Sequence, residues 1–336
     1  MKTWVKFSSV VVLLFILLIP GAGAQTCLAG VSENGKWGFI DNQGNWVIKP
    51  GFDDAHNFSE GLAAVRSGSN WGYISVSGAW AVSPVYKRAE DFSEGLARVI
   101  DPHTGDWIYI DKTGKQPFGE HFANCMNFSE GLAAARVSSR WGYIDKTGKY
   151  VIPDQYEHAE TFSEGMGRVA VDNVYGFLNP AGEWALKTNL ENIRDMNDGV
   201  APAKGKRGWG FIDRTGKEVV PAIFEHARNF SEGLGCVRDN GLWGYYDVTG
   251  KPVTAYAFSK CRDFSDGMAA VRVGKLWGYI DKTGKTVLAP QFQQALDFFN
   301  GFAPVRVGER WGYIDKSGKI FLSPRYEDAL PFAKVN

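Results

Sequence analysis

The sequence predicts an all-β chain of about nine tandem units of about 34 residues, each folding into about three antiparallel strands. Three observations carry this. Trp-Gly pairs begin at Trp37, Trp71, Trp141, Trp209, Trp243, Trp277 and Trp311, with Trp107-Ile108 and Tyr175-Gly176 in the two gaps; the spacing is 34 except for 36 between Trp71 and Trp107. A Phe-Ser-Glu-Gly turn at Phe58 returns at Phe92, Phe128, Phe162, Phe230 and, with Asp266 for the glutamate, Phe264, and in altered form at Met196 and Phe298. A glycine stands seven residues after every Trp-column residue, from Gly44 to Gly318. Composition agrees, since 14% aromatic residues and 40 glycines suit many short strands joined by tight turns. A fixed period takes precedence over the two domains that 336 residues would suggest.

Ahead of the array, Lys2 and Lys6 precede an apolar run over residues 10–19, then Pro20 and Ala22-Gly23-Ala24. The run is shorter than the roughly 18 residues of a membrane-spanning helix, and it ends on an A-x-A cleavage pattern. Residues 1–24 are therefore expected to be a secretory signal peptide and residues 25–336 a single repeat array, exported to the periplasm or the medium. Thr26 before Cys27 departs from the lipid-attachment pattern. No transmembrane segment is expected in the mature chain.

Within the unit that starts at Trp277, alternation of Trp277, Tyr279 and Asp281 against Gly278 and Ile280 has a strand's period of two. The segment from Asp281 to Gly284 predicts a tight hairpin, with the carboxylate accepting turn bonds and glycine taking the left-handed conformation. Thr286-Val287-Leu288 is the expected return strand, ended by Pro290, and residues 268–273 are the third strand. Such a unit is marginal alone, so neighbours must complete its core. The aromatic columns would form the buried spine, and the glycine beside each Trp is expected to admit a close neighbour.

These residues resemble the WG-repeat family, whose unit runs Lys-Trp-Gly-Tyr-Ile-Asp-x-x-Gly-Lys-x-Val-Ile-x-Pro-x-Tyr and then Phe-Ser-Glu-Gly-Leu-Ala. The stretch from Lys36 to Asp41 and that from Trp141 to Pro153 follow it nearly residue for residue, and the likeness spans residues 28–336. The resemblance implies a mostly bacterial β-repeat module, common in secreted and surface proteins, and supplies no catalytic residues.

Two architectures satisfy the pattern. The leading expectation is a curved, solenoid-like open array. The alternative is a closed, propeller-like ring, because Leu28-Ala29-Gly30-Val31 aligns with the third strand of a unit and the chain stops at Asn336 where that strand is due. The first strand would then pair with the hairpin over residues 311–322.

Chemistry-bearing residues weaken when placed in their columns. His158 and His226 fall in a polar linker column, and His56, His103 and His121 show no metal-ligand spacing. Cys125, Cys236 and Cys261 stand where other units have alanine, which suggests buried thiols, with a Cys236–Cys261 bridge as the alternative. The Asp column from Asp41 to Asp315 reads as turn chemistry, since Ser75 and Asn179 also fill it. Basic residues from Arg66 to Arg306 and acidic ones from Glu60 to Asp266 would form opposed surface ladders. With 37 basic and 37 acidic residues, no net positive charge points to nucleic acid.

The expectation is thus a non-enzymatic exported scaffold, without cofactor, binding another protein. The alternative is a carbohydrate or cell-envelope module that holds cell-wall polysaccharide on partly exposed aromatic rings. The candidate binding residues lie where the repeat relaxes: Arg194, Asp195 and Asn197 in the divergent unit over residues 174–206, and His103 and Asp106 in the insertion.

Overall fold

The computed structural model describes residues 27–335. The predicted signal peptide lies outside the described residues. Nine antiparallel sheets follow one another and close on themselves as a nine-bladed β-propeller. The open array is thereby overturned in favour of the ring. Strand Cys27–Glu33 pairs Val31 with Ala329 and Ser32 with Asp328, and pairs Cys27 with Lys334 and Leu28 with Ala333. Closure buries Val31, Ala329 and Phe332 and removes two sheet edges that an open array would expose. The partner of the first strand is the inner strand of the last unit, not the hairpin after Trp311.

Each blade carries an inner strand that the repeat pattern conceals. This makes four strands or more in seven blades and three in the second and sixth, where the return segment is reduced to isolated bridges such as Trp107–Phe122 and Trp243–Phe258. In the first blade the order is Asp54–Ser59, Leu62–Ser67, Asn70–Ser75 and Trp80–Tyr86. The extra strand is the linker, with its pairing interrupted by a register shift between Ala55 and Phe58. In most blades it is only two residues long, such as His226–Ala227, too short to show an alternation. The return strand also outruns its expected end. Thr286–Phe292 passes through Pro290, which is tolerated because this strand forms the outer edge.

The linker strands face the axis. One cleft is lined by Ser265, Asp297, Phe298, Pro331, Asn57 and Asp91, drawn from five consecutive blades. The buried spine is the column two residues after Trp. Phe39, Tyr73, Tyr143, Phe177, Phe211, Tyr279 and Tyr313 are all fully buried, each contributing roughly 1.5–3 kcal/mol by apolar burial. The Trp column itself is only half-buried at Trp37, Trp71, Trp107, Trp209 and Trp243.

Blades are joined by repeated polar bonds. Tyr73 donates its hydroxyl to the Glu90 carbonyl at 2.7 Å, and Tyr313 to that of Leu330 at 2.8 Å. Ser59 Oγ donates to the Phe92 carbonyl at 2.7 Å. Glu60, at φ 50°, accepts from the Gly95 amide of the next blade at 3.0 Å. The acidic column therefore does not pair with the basic one as opposed ladders. Its carboxylates bond the next blade's backbone and a cation of that blade, as in Lys112–Glu60 and Lys146–Glu94.

The hairpins follow expectation. Asp145 Oδ1 accepts from Thr147 N at 2.8 Å, and Gly148 takes φ 83°. Cys236 and Cys261 form a disulfide between the sixth and seventh blades, which corrects the preference for free thiols. Both cysteines replace alanines that face each other across this blade junction, so packing and cross-linking demand the same position.

Candidate functional site

Many inner strands carry polar side chains at the two positions before the Phe-column residue, although Met126, Leu296, Leu330 and Pro331 do not. At three junctions the side chain two before that residue on one blade reaches the side chain one before it on the next, 35 positions on. His56 Nδ1 lies 3.0 Å from Asp91 Oδ1. Arg228 donates to both oxygens of Asp263, from Nε at 2.9 Å and Nη2 at 3.2 Å. Arg262 Nη1 is 3.7 Å from Asp297 Oδ2. Ion pairs of this kind bridge successive blades.

Between the fifth and sixth blades Arg194 holds the first position and Asn229 the second, so this junction sets an amide, as Asn57 and Asn127 do elsewhere in the column, where the adjacent blades supply Asp195 and Asp263. Arg194 and Asn229 line a polar cleft of about 450 Å³, with Arg168, Asp195, Trp209, Arg228 and Asp263. Arg168 is spoken for, donating from Nε to Asp195 at 2.8 Å and lying 3.1 Å from Glu160. Arg228 is held by Asp263. Among the described residues Arg194 has no carboxylate partner. Its guanidinium lies 4.7 Å from the Trp209 ring centroid, and its Nη2 is 3.2 Å from His226 Nε2.

The electrostatics follow from this geometry. Burial lowers the pKa of Arg194, helped by the charges of Arg228 and Arg168 and opposed by that of Asp195. His226 is lowered by burial and then by Arg194, which favours the neutral ring as acceptor of the Arg194 proton. The Asp263 bonds raise Arg228 instead.

Of the residues singled out from sequence, Arg194 and Asp195 meet in this cleft. Asn197 does not line it; its Nδ2 donates to the Asp195 carbonyl at 3.3 Å and ties down the end of the strand. His103 and Asp106 belong to the second blade. There the His103 amide donates to Asp101 Oδ1 at 2.7 Å, and Asp106 lies 3.7 Å from His121, a loop separate from the cleft. Arg168, Trp209, Arg228, Asn229 and Asp263 went unselected. Aligning the two columns before Phe would have exposed the Arg series at 194, 228 and 262 and its missing acid.

The same divergent unit bears a second cleft, of about 310 Å³ and largely apolar, lined by Leu186, Leu190, Phe211, Val220 and Ala222. Its cause is legible in another column. Fifteen residues after the Trp column stand Phe52, Tyr86, Phe122, Tyr156, Phe224, Phe258, Phe292 and Tyr326, but Leu190 in this unit. A smaller side chain leaves the space unfilled.

The Trp rings offer little open face. Trp141, Trp277 and Trp311 are buried, and guanidiniums lie over Trp107, Trp141, Trp209 and Trp277. Trp80 is exposed at 41%, packing edge-on against Phe52.

The family profile described as "WG containing repeat" matches residues 37–71, 71–100, 141–175, 175–208, 209–243, 243–277, 277–311 and 311–334. No curated protein matches the chain by sequence. Among solved structures, the chain is similar to one titled "Crystal structure of the eukaryotic initiation factor", with a TM-score of 0.66 and 11% identity over 92% of this chain and 98% of the other. It is also similar to "Dihydro-heme d1 dehydrogenase NirN in complex with DHE", at a TM-score of 0.52 and 13% identity over 92% of this chain and 75% of the other. At such identities the likeness concerns the fold alone.

Proposed function

The chain belongs to the family of WG-containing repeat proteins, and from that premise we propose that it is a non-enzymatic, exported scaffold whose propeller binds another protein. Repeat propellers commonly serve as interaction scaffolds, and stacked units present surfaces broad enough for a macromolecule. One observation carries the reading. The polar cleft at Arg194 and the apolar cleft at Leu190 each draw part of their lining from the unit over residues 174–206, where the repeat departs from its pattern. Polar and apolar recesses contributed to by one unit suit the mixed chemistry of a protein surface. The Cys236–Cys261 disulfide fits an oxidising compartment and so supports export. The bacterial origin implied by the resemblance fits the same picture.

The test is cross-linking of residues 25–336 to solubilised envelope and secreted proteins, with cell-wall polysaccharide as a parallel bait. A saturable protein partner whose cross-links cluster on the fourth to sixth blades is the expected result. Polysaccharide retention that is abolished by Trp80→Ala would overturn it in favour of the carbohydrate module.

A further inference from the structure

We infer that the cleft between the fifth and sixth blades is a carboxylate-binding site, in which a ligand's carboxylate takes the place that an aspartate fills at the sister junctions, with Arg194 as its principal partner. The inference rests on the cleft being a binding site, but not on the partner being a protein.

The propeller contains its own templates for the ligand. At three of the nine junctions a basic side chain on one blade meets an aspartate 35 positions on: His56 with Asp91, Arg228 with Asp263 and Arg262 with Asp297. These pairs show what group such a junction accepts beside a basic side chain. Between the fifth and sixth blades the basic side chain is Arg194, while the position 35 on holds Asn229, an amide that the same column also carries at Asn57 and Asn127, but there without an arginine in the first position of the preceding blade. Asparagine matches aspartate in size, so the shape of the recess is kept and only the negative charge is withdrawn.

The pairing of charges around the cleft agrees. Its walls carry Arg168, Arg194 and Arg228 against Asp195 and Asp263, with Glu160 pairing Arg168 from beside the cleft. Arg168 and Arg228 hold these carboxylates directly, and of the three guanidiniums only Arg194 makes no ion pair among the described residues. A half-buried guanidinium flanked by two others is poorly solvated and repelled, and a single anionic group relieves both costs. Hydrogen bonding around the cleft is also incomplete. Asn229 Oδ1 and His226 Nδ1 are buried without a partner among the described residues. With His226 Nε2 accepting from Arg194, the neutral tautomer places its proton on Nδ1. The amide of Asn229 can present its Nδ2 to the cleft, because its oxygen makes no bond that fixes the opposite orientation. Arg194 gives two charge-assisted donors and Asn229 one neutral donor, a set that matches one planar carboxylate better than a tetrahedral dianion.

Two sources of carboxylate fit: a free small acid, and the side chain or C-terminus of a bound peptide. The test is isothermal titration calorimetry of residues 25–336 at constant ionic strength with glutarate, an acetylated hexaglutamate peptide and inorganic phosphate. The decisive variant is Asn229→Asp, which restores the missing internal acid and should fold at least as well as the parent. Arg194→Gln is the second. Saturable binding of glutarate, or of the peptide alone, that weakens at least tenfold in both variants supports the site; glutarate binding identifies a free acid, and peptide-only binding identifies a partner's segment. Phosphate binding tighter than either carboxylate overturns the assignment of class. No binding by any probe, or carboxylate binding that Asn229→Asp leaves unchanged, overturns the site itself. A saturable protein partner captured equally by parent and Asn229→Asp would leave the scaffold reading standing while this inference fails.

Discussion

Two histidines on the inner strands titrate in opposite senses, and the pH dependence of stability should separate them. His56 is raised, mainly by its bond to Asp91, with burial opposing. Its stabilising contribution is fully present below the unfolded value near 6.5 and is lost as pH rises through the raised folded value. His226 is lowered by burial and by Arg194. For it the unfolded chain binds the proton first, so stability is intact above about 6.5 and falls as pH drops through the lowered folded value. Denaturant titrations from pH 5 to 9 should therefore show that His56→Asn flattens the alkaline limb and His226→Asn the acidic limb; effects on the opposite limbs would refute the assignment. Neither role could be read from sequence alone. The column of His226 reads as solvated linker, and only the ring shows it against Trp209 and Arg194. Arg194 and Asp195 were legible because they sit where the repeat relaxes. Their partners were not, since a contact 35 positions away requires the blade geometry to be known.

At the scale of the element, the glycine that follows most of the Trp-column residues admits the return strand of the outer hairpin. A Cβ on Gly72 would lie 2.6 Å from the Val82 carbonyl oxygen and 2.7 Å from Pro84 N. The close approach comes from the return strand of the same blade, where the pairing of Trp71 with Tyr86 and of Tyr73 with Val82 brackets an irregularity in register. Gly72→Ala is expected to cost about 1–3 kcal/mol through forced displacement of backbone, measured as a lowered urea midpoint with unchanged m-value. An unchanged midpoint would mean that the bulge relaxes freely. The Asp-to-Gly hairpins, the alternation around Trp and the close approach at glycine were all readable, because each is enforced inside one unit. The inner strand was hidden because its residues are selected by neighbouring blades. Alanine at Ala55, Ala89 and Ala159 is a packing limit between blades, not a strand signal.

Ring closure is a property of the whole molecule, and the repeat pattern left it undecided because every interior junction is the same in an open array and in a ring. Only the seam differs. There Cys27–Glu33 serves as second strand to an inner strand contributed by Asp328–Ala329, and the blade is shared between the two halves of the chain. The pairing of Cys27 with Lys334 brings the first and last described strands within one ladder. A circular permutant can test this directly. New termini between Gly274 and Lys275 open an exposed turn, where a Cβ on Gly274 would meet nothing within 4 Å, while a short Gly-Ser linker joins Val335 to Cys27. In a closed ring this exchanges one seam for another and leaves every other blade junction intact, so the permutant should fold with the parent's far-UV spectrum and melt within a few degrees of it. In an open array the same linker would have to span the separation of the two ends and would tear the terminal units from the stack. A permutant that aggregates, or that melts in two steps with the blades beside the old seam unprotected from hydrogen exchange, would refute closure. Retention of one cooperative transition would show that the nine blades stabilise one another around the full circle, with the seam blade as replaceable as any other.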